Sequence, residues 1–67
     1  MNDIVEYMIN KIREELVGYT IKEPIADIEN ESFGFQAVKG KKRINVWVEC
    51  DEEGNGPGWL YIEKEKK

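Results

Sequence analysis

Residues 32–50, SFGFQAVKGKKRINVWVEC, hold two alternating segments joined by one turn. In the first, Phe33, Phe35 and Ala37 fall on one side; in the second, Ile44, Val46, Val48 and Cys50 do so. A period of two marks a strand with one buried face, because successive side chains of extended chain point to opposite sides. The KGKK between the segments carries turn residues. Closing a hairpin there sets Phe35 opposite Val46 and Ala37 opposite Ile44, which keeps the apolar groups together. The same register sets Gly34 opposite Trp47 on the other face, where the ring can cover backbone that glycine leaves bare.

Working outward, WLYIE (residues 59–63) alternates again, with Leu60 and Ile62 on one side and Trp59 and Tyr61 on the other. A last hairpin can bring Trp47 beside Tyr61 and Glu49 beside Trp59. Upstream, TIKEPIADI (residues 20–28) is a poor strand interrupted by Pro24, which belongs at a sheet edge or contains a bulge. Residues 3–17 change period: Ile4, Val5, Met8, Ile9, Ile12 and Leu16 form one helical stripe at about 100° per residue. Asp3 and Glu6 have capping-box spacing, and Gly18 suits the left-handed position that ends a helix. The expected architecture is α+β in two layers. One N-terminal helix packs on one face of a three- or four-stranded antiparallel meander, in the order α-β-β-β-β. Residues 1–67 form one domain, with 64–67 as a frayed tail.

At 67 residues the chain is near the lower limit for a self-sufficient core, so modest stability is expected. Cys50 is the only cysteine, which excludes an intrachain disulfide and points to a reducing compartment, the cytoplasm. No apolar run is long enough to span a membrane, and MNDIVEYMIN lacks the features of a signal peptide. Histidine is absent, and Ser32 and Thr20 are the only hydroxyl residues of their kinds. Triads with histidine and His-containing zinc sites are thereby excluded. So small a domain can hardly enclose the dry cleft that would tune a carboxylate pair. The expectation is a protein that is not an enzyme and holds no cofactor.

The face away from the helix would carry Trp47, Trp59 and Tyr61 among polar neighbours. Such rings pack across strands, and they are also frequent anchors of protein interfaces. Charge is unevenly spread: ENES and DEEGNGPG share one end of a meander, and KGKKR lies at the other. Three readings of function follow. In the first, the chain is an acidic protein-interaction module serving as adaptor, subunit or inhibitor. Trp47, Trp59 and Tyr61 would make contact, Asp51, Glu52, Glu53 and Asn55 would form an acidic recognition loop, and the partner is another protein or a second copy seated on the open face. In the second, Lys39, Lys41, Lys42 and Arg43 would hold a single-stranded nucleic acid beside the aromatic rings. In the third, Asp51, Glu53 and Asn55 would bind calcium. Their spacing follows an EF-hand loop, but Pro57 comes after Gly56 and Ile62 stands where the bidentate glutamate belongs. The net charge of −4 weighs against nucleic acid. The interaction module is therefore the principal expectation.

Overall fold

The computed structural model describes residues 3–50 and 58–64. One helix, α1 (Asp3–Glu15), precedes four strands: β1 (Thr20–Asp27), β2 (Ser32–Lys39), β3 (Lys42–Glu49) and β4 (Trp59–Lys64). The strands form one antiparallel sheet in sequence order. This is the expected α+β arrangement, with a four-stranded sheet.

The central hairpin has the register its alternation dictates: Phe35 faces Val46, Ala37 faces Ile44 and Gly34 faces Trp47. Gly40 supplies the turn with a φ of +61°, and Lys41 has no positive φ. A left-handed residue at the first of two central positions is the form whose twist suits a hairpin. The β3–β4 pairing likewise sets Trp47 opposite Tyr61 and Glu49 opposite Trp59. β4 continues through Lys64, the first residue of the expected tail, which pairs with Ile44.

β1 is an edge strand, and its pairing with β2 shifts register between Ile21 and Glu23. The bulge at Lys22 changes the phase of everything after it. Ile21 stays on the side of Ala37, whereas Glu23, Ile25 and Asp27 fall on the side of Gln36, Gly34 and Ser32. The β1–β2 turn is held by the Asp27 carboxylate, which accepts from the Asn30 backbone N–H (3.3 Å) and from Asn30 Nδ2 (2.8 Å).

The helix is shorter than the expected 3–17. Leu16 and Val17 both donate to the Ile12 carbonyl (2.9 and 3.1 Å), Tyr19 donates to Leu16 (3.0 Å), and Gly18 turns the chain at φ +95°. Leu16 keeps the α-helical i→i−4 spacing, Val17 widens it to i→i−5, and Tyr19 closes an i→i−3 turn around the glycine. The helix runs along β4. Its residues Ile4, Tyr7 and Met8 look across a cleft at Trp59, Leu60 and Tyr61, and Glu15 Oε1 lies 3.8 Å from Lys64 Nζ. The helix thus packs on one face, as expected, but covers only part of it. No helix residue is buried, and Ile9 and Ile12 remain 43% and 39% exposed. On the same face Phe33, at 63%, is also uncovered. The buried core is small: Ala37, Ile44 and Val46, with Leu16, Tyr19, Phe35, Leu60 and Ile62 packed around them.

Candidate functional site

The face away from α1 is open, and β2, β3 and β4 build its central features. Cross-strand partners point to the same side of a sheet. One row therefore runs Ile25, Gly34, Trp47, Tyr61, and the row beside it runs Asp27, Ser32, then Glu49 and Trp59. Gly34 and Ser32 are the smallest side chains of their rows. Between the bulkier residues, beside Ser32, lies a depression of about 520 Å³, lined among the described residues by Asp27, Asn30, Ser32, Trp47, Glu49, Trp59 and Tyr61.

Gly34 is required by close approach of the backbones. A Cβ at this position would overlap the Val46 carbonyl oxygen and lie 2.9 Å from Trp47 Cα. The atoms nearest that position are main-chain atoms of Val46 and Trp47, so facing backbone takes up the space. Gly58, just before β4, is constrained in the same way: φ is +85°, and a Cβ would stand 2.6 Å from the Glu49 carbonyl oxygen. It delivers Trp59 to the open face directly opposite Glu49.

The three aromatics differ in exposure. Trp47 is half-buried, whereas Trp59 and Tyr61 are 49% and 55% exposed. Trp47 is anchored at its polar edge, where Nε1 donates to Glu63 Oε1 at 3.3 Å; Asn45 Nδ2 donates to the same oxygen at 3.3 Å. Three carboxylates thus surround the rings: Glu63 engaged by Trp47 and Asn45, Asp27 engaged by Asn30, and Glu49 half-buried. Among the described residues Glu49 has no hydrogen-bond or ion-pair partner.

A second cleft, of about 450 Å³, lies between α1 and β4 and is mainly apolar, with Ile4, Tyr7, Met8 and Leu60 in its walls. Lys11 crosses its rim. It pairs with Glu15 at 3.2 Å and stands 5.9 Å from the Tyr7 ring centre. Its pKa is raised above the ordinary lysine value, chiefly by the hydrogen bond to Glu15.

The structure brings Trp47, Trp59 and Tyr61 together as their alternation implied. Asp51, Glu52, Glu53 and Asn55 lie outside the described residues, so the acidic recognition loop and the calcium set are not placed. Their flanks, Cys50 and Gly58, stand at the same end of the sheet as the β1–β2 turn. The basic group is divided. Lys39 reaches the helix side, with Nζ 5.8 Å from the Tyr19 ring centre, and Lys42 faces it across the hairpin. Arg43 is on the aromatic face but four residues from Trp47, about 13 Å along the strand. Asp27 and Glu49 join the aromatics instead, and sequence reasoning had not counted either as a site residue. Among the described residues, no helix is long and apolar enough to cross a membrane. The chain matches no protein-family model, no curated protein and no solved structure.

Proposed function

We propose that this chain is a non-catalytic protein-interaction module, an adaptor, subunit or inhibitor, that engages its partner through the open aromatic face. The observation carrying this reading is the grouping of Trp47, Trp59 and Tyr61 around one depression, with the last two about half exposed. Large aromatic rings beside a concavity are what interface anchors require, since each offers much area with few torsions to immobilise. In sequence the acidic residues 51–53 precede Trp59 by a few positions, and in this reading they take part in recognition. The exposed thiol of Cys50 suits a reducing compartment such as the cytoplasm.

The partner in this reading is another protein. A second copy seated face to face would bring Asp27, Glu49 and Glu63 against their equivalents, and like charges across an interface disfavour it. The basic hairpin gives the nucleic-acid reading less support, because Lys39 and Lys42 lie on the helix side, away from the rings.

Affinity capture from the native host, run in parallel with wild type and Trp59→Ala, tests the proposal. Loss of an exposed ring leaves the fold intact, and the expected result is at least about a tenfold loss of the retained protein, as for an interface hot spot. A partner held equally well by both chains overturns the assignment of this face. Sedimentation of the isolated protein separates the two occupants: a monomer at high concentration removes the second copy.

A further inference from the structure

We infer that the depression on the open face is a receptor for one basic side chain, the guanidinium of an arginine or the ammonium of a lysine presented by the protein partner. This rests on the reading that the face binds a protein, and it specifies the chemistry that is recognised.

The argument begins with Glu49. It is half-buried between Ser32 and Trp59, and among the described residues no cation or N–H group meets its carboxylate. Whatever fills the depression must take over the hydration of that charge. An apolar side chain would remove water and return no hydrogen bond, which carries the full desolvation penalty of an ionised group. An anion would be repelled by Glu49, by Asp27 at the other end of the row and by Glu63 beside Trp47. A cation meets none of these costs.

The aromatic residues point the same way. Trp47, Trp59 and Tyr61 are the bulky members of the lining, and indole is the ring that attracts a cation most strongly. The Trp47 N–H is already committed to Glu63, so its positive edge is occupied and its ring is fixed in place. Asp27 is held by two bonds from Asn30 and adds a stationary negative charge on the opposite rim. Aromatic rings together with a carboxylate that no described residue pairs form a site with electrostatic and shape preference for a long basic side chain. Ser32, the small residue of the lining, leaves room for its methylenes against the rings.

The test uses the whole chain, isotopically labelled, and follows the indole N–H signals of Trp47 and Trp59. Three short peptides serve as probes, with glycine alternating with arginine, glutamine or glutamate. The arginine peptide is expected to shift both indole signals saturably, less so as salt is raised. Glu49→Gln, nearly isosteric at a half-exposed position, is expected to weaken it by about tenfold. Glu6→Gln, on the helix, should leave the affinity unchanged, and Trp59→Ala should abolish saturation if the glutamine variant is poorly folded. Equal binding of the glutamine peptide, an unchanged affinity in Glu49→Gln, or no response to the arginine peptide each overturns the receptor. Those failures leave the open-face reading standing on the Trp59→Ala capture. Retention of the natural partner by Trp59→Ala, with the arginine peptide saturating the wild type but not this variant, overturns the open-face reading alone.

Discussion

Gly34 shows how one absent side chain lets two strands approach. Without a Cβ the backbones of β2 and β3 approach closely at Val46 and Trp47. Gly34→Ala is expected to cost about 2–3 kcal/mol, because the clash is with backbone and cannot be relieved by a rotamer change. Urea unfolding followed by tryptophan fluorescence measures it, and in so small a domain much of the total stability would be lost. The pairing of Gly34 with Trp47 was legible in the sequence from alternation around KGKK. Its reason was legible only in part, since the approach of the Val46 carbonyl depends on three-dimensional geometry that residue identities do not encode.

At the scale of elements, Phe33 and Phe35 carry the same alternation signal but have different fates. Phe35 packs on the core, whereas Phe33 is 63% exposed, because α1 lies along β4 and leaves the far half of its face uncovered. Phe35→Ala is expected to cost about 2 kcal/mol and Phe33→Ala less than about 1 kcal/mol, read as a pair of thermal or urea transitions. Periodicity tells which face of a helix turns inward, but it does not tell which strands the helix will cover. A related limit hid Asp27. Counting alternation from Ile21 puts residue 27 on the helix side, and the bulge at Lys22 moves it to the aromatic face. Pro24 made a bulge or an edge legible without locating the phase change. Trp47, Trp59 and Tyr61 lie on regular strands without such an interruption, so their shared face could be read directly.

For the whole molecule, the meander sorts charge by turn. Asp27, Glu29, Glu31 and Glu49 gather at one end, and Lys39, Lys41, Lys42, Arg43 and Lys64 at the other. The helix begins at the first end with Asp3 and Glu6 and approaches the second with Arg13. Asp3, Glu6 and Arg13 complement the helix termini they adjoin, whereas Glu14 and Glu15 in the last turn do not. The separation also makes the chain a permanent electric dipole, whose orientation near a charged surface is set by its ends rather than by its net charge of −4. At neutral pH and low ionic strength it should adsorb end-on to a cation exchanger through the KGKK tip, and also to an anion exchanger in the opposite sense. Replacing Lys41 and Lys42 by glutamine should abolish the first retention and strengthen the second, which paired salt-gradient elution would measure. A basic partner of the kind proposed would meet the acidic end first, and the basic hairpin tip, turned away from it, would act as a rudder during the approach.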